Sequence, residues 1–420
     1  MICRTFKDKK ISALGFGSMR LPVIDKNDAL IDEEKAAEMV DEAIRGGINY
    51  FDTAWGYHSG NSELVMGKLL SKYPRESFFL ATKFPGYDLS NMDKVESIFE
   101  KQLEKCRVDY FDFYLFHNVC EMNIEQYLDE KFGIFDYLIR QKENGRIRHL
   151  GFSVHGNIDT MSRFLEKYGK SMEFCQIQLN YIDYDFQDAK AKLDLLAKYN
   201  IPVWVMEPLR GGKLAVLKEN HAEKFASHFK DESPVGAAFE FLLSFPQVTT
   251  ILSGMSSLEQ LRDNLRIFEK ERPFSEDDKE FLFSLAKDML SELTLPCTGC
   301  HYCVSHCPKG LDIPLLLNLY NEHCFTGGGF AAPMFFMRYP KEKHPSACLG
   351  CRSCEKVCPQ QIKISEALSD FSEKLGEKKI SFHTCREVFS LHGFLLSRLY
   401  HLPTTPTGRR VTSTACFSVM

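Results

Sequence analysis

Residues 49–84 read NYFDTAWGYHSGNSELVMGKLLSKYPRESFFLATKF. The segment opens on a short apolar run, NYFDTA (49–54), and closes on another, FFLATKF (78–84). Between them SELVMGKLLSKY places apolar residues at three- and four-residue steps, the spacing of one helix face. Strands that are apolar throughout suggest a parallel sheet covered on both sides, so the stretch reads as one strand–helix–strand step.

The step repeats. Further strand candidates are LGFG (14–17), YFDFYLFH (110–117), HLGFSV (149–154), FCQIQLN (174–180), PVWVMEP (202–208) and VTTILSG (248–254). Helical patterns such as EEKAAEMVDEAIRGG, VESIFEKQLEKC, AKAKLDLLAKYN, VGAAFEFLLSF and SLEQLRDNLRIF lie between them, and Gly46–Gly47, Gly145 and Asn200 stand at expected helix stops. Eight such units within residues 1–285 predict a (β/α)8 TIM barrel of the α/β class. A doubly wound sheet is the alternative. It would want G-x-G-x-x-G after the first strand, and Gly15-Phe16-Gly17-Ser18-Met19-Arg20 lacks the third glycine. Residues 2–12 predict a small hairpin closing the barrel floor.

The 420 residues carry a formal net charge of −5, which argues against a general nucleic-acid or polybasic membrane binder. No run of 18 apolar residues predicts a membrane span, and MICRTFKDKK has no apolar core that predicts a secretory signal. A cytoplasmic location is the expectation. The composition stands out in one respect, since it holds 15 Cys against only 2 Trp.

Eight of those cysteines form two copies of C-x2-C-x2-C-x3-C-P: Cys297, Cys300, Cys303, Cys307 with Pro308, and Cys348, Cys351, Cys354, Cys358 with Pro359. Three thiolates spaced three residues apart let a short loop wrap three corners of a cubane, while the proline bends the chain away. Zinc is a poorer fit, because its sites take four tetrahedral ligands, usually as two separated pairs. A disulfide framework would need an oxidising compartment. The runs resemble two-[4Fe-4S] ferredoxin modules. That resemblance implies a crossover, with Cys297, Cys300, Cys303 and Cys358 on one cluster and Cys348, Cys351, Cys354 and Cys307 on the other. LDIPLLLNLYNEH between the runs looks helical, which predicts a mainly helical module over residues 286–380, followed by an extension, 381–420.

In barrels of this class chemistry gathers at the C-terminal strand ends. The polar residues there are Asp52, Lys83, His117, Ser153, Gln176 and Glu207, with Tyr57 just past the second strand. An ammonium at Lys83 is expected to pair with Asp52 and to lower the pKa of Tyr57, giving an acid able to protonate an alkoxide as hydride arrives at carbon. His117 can hydrogen-bond the same oxygen.

Here the sequence resembles the aldo/keto reductase family, carried by Asp52-Thr53-Ala54-Trp55-Gly56-Tyr57 with Ser62-Glu63 and Gly67, by Thr82-Lys83 and by Leu115-Phe116-His117. The resemblance implies a catalytic tetrad of Asp52, Tyr57, Lys83 and His117, and an extended NAD(P)H bound without a Rossmann domain. It aligns Ser153, Gln176, Met206 and Leu209 with the nicotinamide end, and Ser256, Gln260 and Asn264 with the adenosine-phosphate loop. Val154 stands where the family's Asn follows Ser153, and Gln260 and Gly254 replace a phosphate-gripping Arg and Lys. Arg262 is expected to substitute if NADPH is used, and Glu207 to pair with Arg210 or Lys213. The implied partners are a small carbonyl or alcohol substrate and a one-electron redox protein. The alternatives are an electron-transfer protein whose barrel is a docking scaffold, and a redox sensor gated by its clusters.

Overall fold

The computed structural model describes residues 1–329 and 331–377. The predicted extension, 381–420, lies outside the described residues. The chain forms two compact units, Met1–Thr294 and a second that begins at Leu295.

The first unit opens with an antiparallel hairpin, β1 (Cys3–Phe6) and β2 (Lys9–Ser12). Eight parallel strands follow: β3 (Leu14–Gly17), β4 (Tyr50–Asp52), β5 (Phe79–Phe84), β6 (Phe111–Val119), β7 (Ile147–Val154), β8 (Cys175–Gln178), β9 (Val203–Met206) and β10 (Val248–Gly254). They close into a barrel in sequence order, with β10 returning to β3 through the pairs Ile251–Leu14 to Gly254–Gly17. The barrel replaces the doubly wound alternative. Its last long helix, Glu276–Ser291, starts on a capping box in which Ser275 and Asp278 satisfy each other's backbone N–H.

Successive residues of a strand point to opposite faces, so alternate positions line the interior. At the floor Tyr50, Ala81, Phe113, Leu115, Phe174 and Trp204 pack into one cluster with Phe6 and Ile11 of the hairpin. Phe6 meets Trp204 edge-on at 5.1 Å, so the hairpin seals the floor with an aromatic plug. The same alternation, two residues onward, sends Asp52, Lys83, His117, Gln176 and Met206 toward the mouth.

Glu173, just before β8, ties this floor together. It accepts from His149 Nδ1 at 2.8 Å and pairs with Lys142 and with Lys7 of the hairpin. Burial opposes its charge, but the bonds from His149, Lys142 and Lys7 outweigh burial and hold the carboxyl at about 2.

The second unit is built from the helices Ile313–Thr326, Ala331–Phe336 and Ile364–Lys374 with short 3-10 turns, and contains no strand among the described residues. Asp312 caps the first of these helices and Gly327, at φ 70°, ends it. Leu311, Leu316, Leu317, Ile364, Leu368 and Phe371 form a core that also takes in Cys303 and Cys354. No described helix is long and apolar enough to cross a membrane.

A carboxylate with a depressed pKa adds stability above its unfolded pKa and gives it up as pH falls through the folded value. Glu173→Gln should therefore lower the denaturation midpoint at pH 7. The gap from wild type should close between about pH 4.5 and pH 2, as read by urea titrations across that window.

Candidate functional site

Lys83 is the centre of the barrel mouth. It has no solvent exposure, and its ammonium donates to Asp52 Oδ1 at 2.6 Å and to the backbone oxygen of Thr53 at 2.8 Å. The Tyr57 hydroxyl lies 3.4 Å from the same nitrogen, which also sits 4.9 Å from the centre of the Tyr57 ring. His117 presents its ring edge-on to Tyr57, with centroids 6.2 Å apart. The structure thus brings Asp52, Tyr57, Lys83 and His117 together.

The electrostatics correct one expectation. The pKa of Tyr57 is raised, not lowered, because burial of the phenol outweighs the attraction of Lys83. The group is a neutral acid holding its proton. Burial opposes the charge of Lys83, yet Asp52 and Tyr57 together hold the ammonium above its usual range. Burial also lifts Asp52, against the pull of Lys83. His117 is pushed well down by burial and by Lys83, so it is a neutral imidazole.

A second buried ion pair stands behind the first, and the sequence reading missed it. Glu63 accepts from Thr82 and Gln102 at 2.7 Å through Oε1, and from Lys105 at 2.6 Å through Oε2. Gln102 also donates to the backbone oxygen of Lys83, and Lys105 lies 4.5 Å from the Trp55 ring centre. The network grips both the strand that carries Lys83 and the loop that carries Trp55. Glu63 and Lys105 sit on different helices, so no local spacing marks them as partners.

Gln176 Oε1 and Asn118 Oδ1 are buried without hydrogen-bond partners, and the backbone N–H of Asn118 donates to Ser153 Oγ at 2.8 Å. Two unfilled acceptors beside a serine suit the N–H2 of a carboxamide, so these residues fit the amide of a nicotinamide. Asn118, held at φ 56°, supplies an amide near Ser153, where Val154 has none. Met206 accepts weakly from Gln176 Nε2 at 3.6 Å, and Leu209 closes the following turn by accepting from Gly212 and Leu214.

At the adenosine end the side chains named from the sequence have partners within the chain. Gln260 turns its oxygen back to the Ser256 N–H, and Asn264 donates to Ser253 Oγ at 3.0 Å, so both brace their own loop. Arg262 pairs with Glu42 at 3.2 Å. Arg210 donates to buried Asp183 at 2.9 Å, and that carboxylate accepts from Gln178 and Asn180 as well.

In the second unit, Cys297, Cys300, Cys303 and Cys358 line one small cavity. Cys307, Cys348, Cys351 and Cys354 line another. Each cavity draws three thiols from one run and one from the other, and is walled by apolar side chains such as Leu317 and Ile364, or Leu311 and Leu368. Four soft ligands around an apolar hollow fit an iron–sulfur cubane.

Residues 13–284 match the family model described as the aldo/keto reductase family, and residues 296–364 that of a 4Fe-4S dicluster domain. L-galactose dehydrogenase of Arabidopsis thaliana is 28% identical over 61% of this chain and 84% of its own. The NADH-specific methylglyoxal reductase of Escherichia coli is 26% identical over 61% of this chain and 90% of its own. Among solved structures, an aldo-keto reductase of Bacillus halodurans superposes with a TM-score of 0.56 and 24% identity, covering 68% of this chain and 96% of that one.

Lys83→Met should cost about 3–5 kcal/mol, because it leaves the Asp52 carboxylate buried without its cation. Removing both charges, in Asp52→Leu with Lys83→Met, should recover part of that loss in chemical denaturation. Strictly additive losses would show that the pair is not coupled.

Proposed function

Because the chain belongs to the aldo/keto reductase family and carries a 4Fe-4S dicluster domain, we propose that it is a nicotinamide-dependent oxidoreductase that reduces a carbonyl or, in reverse, oxidises an alcohol. The observation that carries this reading is the contact of Lys83 with both Asp52 and the hydroxyl of Tyr57, beside a neutral His117. The names of the two relatives, a dehydrogenase and an NADH-specific reductase, support both directions.

NAD(P)H, when bound, supplies a hydride to the carbonyl carbon. Negative charge then builds on the carbonyl oxygen, and Tyr57 delivers its phenolic proton there. Lys83 stabilises the phenolate left behind, and Asp52 fixes the direction of the ammonium. His117, neutral and with Nδ1 unpartnered, orients the carbonyl. Gln176, Asn118 and Ser153 would hold the nicotinamide amide, with Met206 packing against the ring.

In the second unit the eight cysteines of the two runs would hold two [4Fe-4S] clusters, each bound across both runs. Because Cys303 and Cys354 belong to its apolar core, the clusters would help fold this unit as well as pass single electrons to a partner protein.

Tyr57→Phe should cut carbonyl reduction by about 10²–10⁴-fold while the visible cluster absorption stays as in wild type. Turnover that survives in full, on a panel of aldehydes and ketones that wild type reduces, would sink the assignment. Wild-type reduction should hold across neutral pH and fall only above the ordinary phenol range, because the acid must keep its proton. Anaerobic preparations should contain about eight irons and eight sulfides per chain. Cys358→Ser should disturb the cluster of Cys297, Cys300 and Cys303 first, as two distinct iron environments in Mössbauer spectra would reveal.

A further inference from the structure

A second tyrosine enters the same site, from the loop that follows β5. The ring of Tyr87 stands edge-on to His117, with centroids 5.1 Å apart and planes at 89°. Tyr57 meets that imidazole at 6.2 Å and 83°, so two phenols flank one neutral histidine at the barrel mouth. The Tyr87 hydroxyl comes down on Gly56, the residue before Tyr57. A β-carbon at position 56 would lie 2.3 Å from that oxygen, far inside contact distance. Glycine there is what admits the hydroxyl, and any other residue would displace it.

No hydrogen bond engages this hydroxyl among the described residues, although Tyr87 is only partly exposed. It keeps its proton, because burial and the neighbouring Tyr57, Asp88 and Glu63 push it up to about 12. His117 Nδ1 is likewise buried without a partner. The ammonium of Lys83 is committed to Asp52 and the Thr53 oxygen. The groups left for a substrate are therefore neutral ones, and there are more of them than one carbonyl oxygen can satisfy. A buried polar group without a partner, as His117 Nδ1 is, costs free energy, and a ligand that fills it gains by the difference, while the part-exposed Tyr87 hydroxyl stands beside it free to bond a second oxygen.

We infer that Tyr87 is a specificity-determining residue that touches the substrate, its hydroxyl bonding an oxygen on the carbon next to the reacting carbonyl. The site then favours small uncharged carbonyl compounds with an adjacent hydroxyl or carbonyl oxygen over their alkyl counterparts. The inference rests on the reading of Tyr57 as the acid, but it assigns a separate task. Tyr57 acts on the oxygen that changes, and Tyr87 reads the one that does not.

The test compares glycolaldehyde with propionaldehyde, which places a methyl where the first has a hydroxyl. The full-length, cluster-loaded protein is assayed as wild type, Tyr87→Phe and Gly56→Ala. Wild type should favour glycolaldehyde in kcat/KM. Tyr87→Phe should shrink that preference by roughly tenfold, the worth of one hydrogen bond between neutral groups in a desolvated site. Gly56→Ala, which leaves Tyr87 chemically intact but displaces its hydroxyl, should shrink the preference in the same direction. Equal losses on the two aldehydes, or a wild type that does not distinguish them, overturn the inference. Quenching of Trp55 fluorescence by each aldehyde gives a second readout without turnover. If wild type reduces neither compound, the reading of Tyr57 fails. The binding ratio then still decides Tyr87, and a ratio that Tyr87→Phe leaves unchanged overturns its role.

Discussion

An ammonium with no exposed surface, held by a carboxylate that is itself 3% exposed, is the constraint around which the barrel mouth is organised. Taking two charges out of water costs several kcal/mol each, and their attraction offsets that only when geometry is close and the remaining donors are satisfied. Lys83 meets the condition with Asp52, the Thr53 carbonyl and the Tyr57 hydroxyl. This fixes strands β4 and β5 and the following loop relative to one another at the place where a reacting oxygen would sit. The Glu63–Lys105 pair beneath it repeats the device one layer out, joining two helices to the same strand through Thr82 and Gln102. Such pairs are weak evidence of stability for its own sake. Their effect is to leave few alternative arrangements for the side chains they hold.

The sequence made the barrel legible because its strands are short, apolar and regularly spaced, and because alternate residues face inward. Tyr50 and Asp52, Ala81 and Lys83, and Leu115 and His117 are each two residues apart, so a core residue at the floor predicts a polar one at the mouth. The cysteine runs were equally plain, since ligand spacing is a local property. Long-range polar packing was not legible. Asn118 follows His117 directly, yet its bond to Ser153 depends on a left-handed backbone turn. Tyr87 lies close to Gly56 only because β4 and β5 are neighbours. The pKa of Tyr57 was misjudged for a related reason. A sequence shows that a lysine is near, but not how little water reaches the phenol.

The second unit solves a different problem with few residues. It has a small apolar core, and two of its cysteines are among the buried members of that core. Its longest helix starts and stops on strong local signals, the Asp312 cap and Gly327, and packs its large side chains on Phe371 of the last one.

Each of its cavities takes a thiol from the far run, Cys358 in one case and Cys307 in the other. The two hollows are therefore linked like rings in a chain. Neither run contains a complete set of four, so a nascent polypeptide has no finished site until residue 354 has been made, and the other waits for residue 358. Cutting the chain anywhere between 307 and 348 would leave two fragments, each with three of one cavity's corners and one of the other's. Each run therefore contributes to both hollows, and neither hollow is complete without the chain between the runs.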